Sequence, residues 1–300
     1  MPGPPKGGGE GVADRSREKK RKEATDDKRR SGVERLPVFA ELFARYAGLT
    51  RAIQDECAGT AQVRSPHDEM YGSDLGNDQE FTSLIEEEEE EAPDWYHMAP
   101  PCRTFTKARR KDRHGHVKQL RSERKPEGFG CEQTKEANLL ADRSAAVGER
   151  QLDRGKFFSI ENPEGSFIWE LPSFKRLAAK RGVVAVLLHQ CAYGGPYHKP
   201  TILLTKCPWL KVGRLCKDAP AHSHTTLEGK VWSFKTDQTV WLTAEAAEYP
   251  TGMCEEWARL WKTWLEEQGP PKEKGKEFKM VKAGRFQNKL VREELADPAA

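Results

Sequence analysis

Two residues stand where covalent chemistry could be done, Cys102 and Glu161. Cys102 closes Ala99-Pro100-Pro101-Cys102 and is followed by Arg103-Thr104-Phe105-Thr106. The two prolines restrict how the thiol is presented. From Arg103 to Lys125 there are ten Lys/Arg, balanced only by Asp112 and Glu123. Cations at that density favour a thiolate when they lie close to it, and they also suit phosphate groups. Glu161 closes Phe158-Ser159-Ile160-Glu161 and precedes Asn162-Pro163. A cysteine and a carboxylate at one crevice suit nucleophilic attack on a ring with proton assistance.

Strand ends are expected to place them. Leu36 to Phe43 reads as a buried strand and Ala44 to Glu56 as a turn into a helix. A second strand is expected around Val63, ending near Asp68-Glu69, and a third from Met70 to Leu75. Glu80 to Ile85 reads as a short helix, and the acidic run Glu86 to Glu91 as a solvated insertion. Asp94 to Met98 is the strand that delivers Cys102, and Lys156 to Ile160 the one that delivers Glu161. Residues 103–130 read as a loop. Thr134 to about Arg150 has helical spacing, and Pro172 to Lys180 is a helix with proline in its first turn. Val183 to Leu188 and Thr201 to Thr205 are apolar runs suited to a buried sheet. Met253, Trp257, Leu260, Trp261, Trp264 and Leu265 form one stripe of a helix over 251–267. Strands alternating with helices predict an α/β fold with a doubly wound, mostly parallel sheet. In such sheets the carboxyl ends of neighbouring strands line one crevice.

Composition bounds the rest. Hydrophobic residues make up 36% of the 300 and charged residues 32%, with a net charge of +3. That is polar for a compact domain. Residues 1–35 carry 11 Lys/Arg against 7 Asp/Glu and read as a disordered basic arm, an import signal, a nucleic-acid tether or a solubilising tail. Residues 268–300 read as a charged, disordered tail. The seven cysteines are odd in number and irregularly spaced, and no apolar stretch reaches signal-peptide or membrane-spanning length. Reduced thiols, no membrane partner and a nuclear or cytoplasmic location are expected.

Four segments together resemble the DNA (cytosine-5) methyltransferases. Pro100-Pro101-Cys102 with Thr106 is similar to their nucleophile motif and Glu161-Asn162 to their acidic motif. Glu41-Leu42-Phe43-Ala44 with Gly48-Leu49 is similar to their cofactor-binding start. Tyr193-Gly194-Gly195-Pro196 is similar to a later Gly-x-Pro motif. They occur in family order and span about residues 37–260. The resemblance implies a Rossmann-like sheet of the S-adenosylmethionine-dependent methyltransferase type over 36–267, with a reduced target-recognition region about 206–241. It implies S-adenosyl-L-methionine as cofactor and methylation of cytosine carbon 5 through a covalent Cys102 adduct, with Glu161 on the base and Lys199 as the remaining cation. The cofactor would be held by Phe43, Gly48, Leu49 and Pro100, with Asp68 or Glu69 on the ribose and Asp74 near the adenine. The partner implied is DNA, with RNA left open, held by Arg103, Lys107, Arg109, Arg110, Lys111 and Arg113. A target base must leave its stack to reach such a pocket. The chain departs from the family at Phe-x-Gly-x-Gly-Gly, where Arg45 and Ala47 replace the first two glycines. It departs again after Pro196, where Tyr197, His198 and Lys199 replace a Gln-x-Arg-x-Arg pattern.

Three function classes follow: an active methyltransferase, a weak or inactive nucleic-acid-binding relative, and an unrelated α/β protein with a structural Cys102. Cys207, Cys216, His222 and His224 are zinc-type residues, but the Cys-x8-Cys spacing is wider than in zinc knuckles, so no metal is expected there. His114 and His116 read as solvated or phosphate-side.

Overall fold

A computed structural model of the chain describes residues 35–107, 120–234 and 237–268. The expected basic arm up to residue 34, the tail from 269, and Arg109, Arg110, Lys111, Arg113, His114 and His116 lie outside the described residues.

Six strands form the main sheet: β1 (Val38–Leu42), β2 (Gln62–Val63), β3 (Trp95–Met98), β4 (Phe157–Pro163), β5 (Val184–His189) and β6 (Pro200–Thr205), in the order β2-β1-β3-β4-β6-β5. β2, β1, β3 and β4 are parallel, and β6 runs antiparallel between β4 and β5. The helices are α1 (Gly48–Glu56), α2 (Asp78–Glu91), α3 (Glu132–Asp153), α4 (Pro172–Ala178), α5 (Leu242–Glu245) and α6 (Thr251–Gln268). The α/β class and the mostly parallel sheet match the expectation and are compatible with a Rossmann-like fold. No helix among the described residues is long and apolar enough to cross a membrane.

Both faces of the sheet are covered, which is why its strands read as nearly continuous apolar runs. Ala40, Leu42, Tyr96, Met98, Phe158 and Ile160 point to one face, under α2, α3 and α4. The side chain of Gly148 is absent for a reason: a Cβ there would come within 3.0 Å of Leu177, so α3 and α4 approach closely at this point. Phe39, Trp95, Leu203, Val186 and Leu188 point to the other face, under α1 and α6. Trp95 is the hub of that face, with ring centroids 4.8 Å from Phe39, 5.3 Å from Trp209 and 5.4 Å from Trp261, all edge-on. Such pairs add about 0.5–1.5 kcal/mol each beyond the area they bury. Of the expected stripe of α6, Met253, Trp257 and Trp261 are buried and Trp264 and Leu265 partly so, while Leu260 is exposed.

Several local expectations are corrected. Met70 to Leu75 is no strand: a single 3-10 turn covers Glu69–Tyr71, capped by Asp68, whose side chain accepts from Met70 N. The helix expected over Glu80 to Ile85 runs on through the acidic run to Glu91. One glutamate of that run is not solvated. Glu88 is buried, with Oε2 at 3.1 Å from both Arg150 Nε and Arg154 Nη1 of α3. A buried carboxylate requires such partners. An antiparallel hairpin of β7 (Lys230–Ser233) and β8 (Gln238–Trp241) fills part of the region read as a reduced target-recognition segment.

Candidate active site

The connection from β1 leads to β2 on one side of the sheet, and the next crosses to β3 on the other. The carboxyl ends of β1 and β3 therefore flank a topological switch point, the usual ligand crevice of such sheets. Parallel register sets Glu41 beside His97 and His97 beside Ser159. Two residues further along β4, on the same face, stands Glu161. Four polar side chains thus replace apolar ones toward the carboxyl end of one otherwise hydrophobic face.

Three of them, Ser159, His97 and Glu161, are joined by hydrogen bonds through Tyr249. Ser159 Oγ lies 2.9 Å from Trp95 Nε1 and 2.8 Å from His97 Nδ1. His97 Nε2 lies 2.9 Å from the hydroxyl of Tyr249, which is itself 3.3 Å from Glu161 Oε2. Burial alone drives His97 down to about 3, so the ring is neutral near pH 7. Glu41 Oε2 accepts from Thr50 N and Thr50 Oγ1, at 2.9 and 2.5 Å. Burial still outweighs those bonds and lifts its carboxyl to about 7.

Glu161 and Cys102 both lie at this end of the sheet, near enough for the carboxylate to act on the thiol's ionisation. Asn162 Nδ2 donates to Pro100 O at 2.8 Å and ties β4 to the Pro-Pro turn. Lys199 Nζ lies 3.9 Å from Glu161 Oε1 and donates to Ala246 O at 3.1 Å. Cys102 is half-buried. Burial raises its thiol above the usual range; Lys199 and Arg45 pull it down and Glu161 pushes it up. The expected thiolate is thus opposed by desolvation. Among the described residues no hydrogen-bond donor reaches Glu161 Oε1.

The loop that carries Cys102 is held by a residue the sequence placed among phosphate-binding cations. Arg121 is fully buried. It donates to Thr104 O at 3.1 Å, Thr104 Oγ1 at 2.8 Å, Pro126 O at 2.7 Å and Asn138 Oδ1 at 2.7 Å, and stacks 3.6 Å above Phe105. A guanidinium supplies five donors in one plane, and this one spends them inside the protein. Lys107 faces Glu123 at 3.6 Å and lies over the Phe167 ring, whereas Arg103 is exposed.

The side where the resemblance expects a cofactor has a different character. Phe43, Arg45 and Ala47 have φ of 59°, 45° and 50°. These left-handed conformations cost a non-glycine residue about 1–2 kcal/mol each. Arg45 and Ala47 are the two positions where the family resemblance has glycine, so the loop keeps a glycine-type backbone without the glycines. Asp68 Oδ2 holds Arg45 N at 2.9 Å, and Arg45 Nη1 reaches Ala244 O at 2.5 Å. The segment from Ala244 to Tyr249 crosses the mouth of the crevice. Through its contacts to Arg45, Lys199, His97 and Glu161, the space left between Phe43, Gly48, Ala99 and Tyr249 is only about 30 Å³. A wider recess of about 350 Å³ lies next to it, under Gly194, Gly195 and Pro196, and Glu248 and Tyr249 border both.

Of the residues expected around a cofactor, Phe43 and Gly48 line the small space. Leu49 is fully buried in the core, Pro100 is buried, and Glu69 and Asp74 are exposed. Asp74 accepts from Gly76 N at 2.8 Å. S-adenosylmethionine is a drug-sized molecule that needs hundreds of cubic ångströms, more than the space between Phe43, Gly48, Ala99 and Tyr249 offers by itself. Sequence reasoning missed His97, Ser159, Tyr249 and Arg121. For Ser159 a signal existed, since it interrupts its strand two residues before Glu161, on the same face. In the Cys-His cluster, Cys207 is not at the surface: it lies in the core with Sγ 3.4 Å from Phe158 O. No family model matches this chain, and no curated protein matches it.

Proposed function

We propose that the chain is a weak or inactive relative of the cytosine-5 methyltransferases that binds nucleic acid and recognises an unstacked cytosine. The observation that carries this reading is the buried carboxylate of Glu161 beside Cys102 and Lys199, with Oε1 lacking a donor. The exocyclic amine of cytosine is a donor of the right kind. Thymine and uracil present a carbonyl oxygen at that ring position, which a carboxylate repels. Lys199 supplies a balancing charge, and the Cys102 thiol stands by the ring as a neutral neighbour.

Two features support a nucleic-acid partner. The hairpin β7–β8 exposes Trp232, Trp241 and Phe234, the last 93% accessible. Bases stack on such aromatic faces for about 1–3 kcal/mol each. The segment from Arg103 to Lys125 remains cationic after Arg121 and Lys107 are set aside. The closed cofactor crevice favours the weak or inactive form of this family resemblance over efficient methyl transfer.

Fluorescence anisotropy with single-stranded oligonucleotides that differ only in one central cytosine or thymine tests the reading. Cytosine should be preferred by about 1–3 kcal/mol, the worth of one good polar base contact. Glu161→Gln should remove or invert that preference, because an amide can donate to the thymine carbonyl. Equal binding of both oligonucleotides by the unaltered chain would refute the reading.

A further inference from the structure

We propose that Cys191, Cys216, His222 and His224 bind one zinc ion in a closed, structural site. Their four ligand atoms lie within 4.8 Å of one another. Cys216 Sγ is 3.7 Å from His222 Nε2 and 3.5 Å from His224 Nε2, and the two Nε2 atoms are 3.0 Å apart. Around a tetrahedral zinc, with sulfur at about 2.3 Å and nitrogen at about 2.0–2.1 Å, sulfur and nitrogen are about 3.6 Å apart and two nitrogens about 3.3 Å. The separations among Cys216, His222 and His224 match these within a few tenths of an ångström.

The orientation of His222 is a second, independent observation. Its Nδ1 lies 2.7 Å from Pro220 O. A carbonyl only accepts, so Nδ1 donates to it, and this contact turns Nε2 into the cluster. Zinc-binding histidines are held in this way by an outer partner on the other ring nitrogen.

The fold brings the four together from two directions. Cys191 is buried in the 3-10 turn after β5. Cys216 opens another 3-10 turn, pinned to the end of β5 by its own N–H on His189 Nδ1 at 3.1 Å and by His189 N on Arg214 O at 2.9 Å. From Lys211 to Gly229 the chain has no α-helix or strand. Long irregular segments of this kind need an anchor. Four protein ligands leave no open position, which makes the site structural and not catalytic. The sequence reading expected no metal at Cys207, Cys216, His222 and His224; the structure puts Cys207 in the core, and it is Cys191, separated from Cys216 by 24 residues of chain, that lies with Cys216, His222 and His224. His189, His198 and Cys216 also cluster. That set is the poorer one, since the Nδ1 lone pair of His189 already accepts from Cys216 N.

The test is metal analysis of the full chain produced with zinc and purified without a metal-affinity tag. About one zinc per chain is expected. Cys191→Ser, His222→Asn and His224→Asn should each weaken zinc binding more than about 100-fold against a chromophoric chelator, beyond the loss typical of an outer-shell change. His198→Asn should leave it unchanged. Because a variant can fail to fold, the unaltered chain loaded with cobalt(II) gives a separate readout: intense visible bands of a tetrahedral ion and thiolate-to-cobalt absorption in the near ultraviolet. Absence of stoichiometric zinc together with absence of those bands overturns the proposal. So does full zinc affinity in Cys191→Ser, or a Cys191–Cys216 disulfide found by peptide mapping of the purified chain.

Discussion

Replacing Glu41 by glutamine should expose a pH dependence that the unaltered chain conceals. Glu41 is raised by burial to about 7 from an ordinary value of 4.5, and His97 is lowered by burial to about 3 from 6.5. Between pH 4.5 and 6.5 the folded chain keeps the Glu41 proton that the unfolded chain releases. This group therefore makes stability fall as pH rises, by about 1.4 kcal/mol per unit. Over the same interval the unfolded chain protonates His97 while the folded chain keeps it neutral, so this group makes stability rise with pH by the same amount. The two slopes oppose and nearly cancel across those two units. In Glu41→Gln the amide would keep an oxygen for Thr50 N and Oγ1 and would not titrate. The variant should then lose about 3 kcal/mol between pH 6.5 and 4.5 relative to the unaltered chain. At pH 8, above both folded values, the substitution should stabilise by about 3 kcal/mol, because no carboxylate has to be buried. Urea denaturation of both proteins at half-unit pH steps measures this directly. Parallel stability curves would refute the claim that Glu41 holds a proton in the fold.

Tyr249→Phe removes the hydroxyl that joins His97 to Glu161 and should destabilise by about 1–3 kcal/mol, the cost of leaving buried polar groups unpaired; equilibrium denaturation at pH 7 that matches the unaltered chain would count against the relay. Arg121→Lys cannot restore the planar set of donors to Thr104, Pro126 and Asn138, so it should lower the melting temperature and speed alkylation of Cys102; an unchanged alkylation rate would show that Arg121 does not hold that loop. Iodoacetamide should modify Cys102 slowly at pH 7 and faster as pH rises, since burial raises its thiol; mass mapping that finds full reaction at pH 6 would contradict this. Phe234→Ala should weaken single-stranded DNA binding by about 1–3 kcal/mol, and an unaltered anisotropy titration would remove the hairpin from the interface.

The sheet was legible because its strands are apolar runs between turn residues, and the position of Cys102 just beyond β3 and of Glu161 toward the end of β4 was legible from those runs. Glu161 and Cys102 are 59 positions apart, yet parallel pairing of β3 with β4 brings their strand ends together. What stayed hidden depends on contacts between distant segments. Arg121 has the same local setting as its cationic neighbours, and only the packing of Thr104 and Phe105 over it turns it inward. The acidic run looked solvated because no local feature distinguishes Glu88 from its neighbours; its partners come from α3. Tyr249 lies in a loop that gives no periodic signal, and its role arises from folding back over β3 and β4. The nearness of Cys191 to Cys216 was hidden for the same reason, their distance along the chain.

Glu161, Lys199 and Cys102 are gathered at one end of the sheet, while the segment from Ala244 to Tyr249 closes the space beside Phe43 and Gly48. Calorimetric titration of the full chain with S-adenosylmethionine tests this closure most directly. No saturable binding is predicted up to about 1 mM, a free energy weaker than about −4 kcal/mol. One-to-one binding with a micromolar Kd would contradict the account and show that the crevice opens to admit the cofactor.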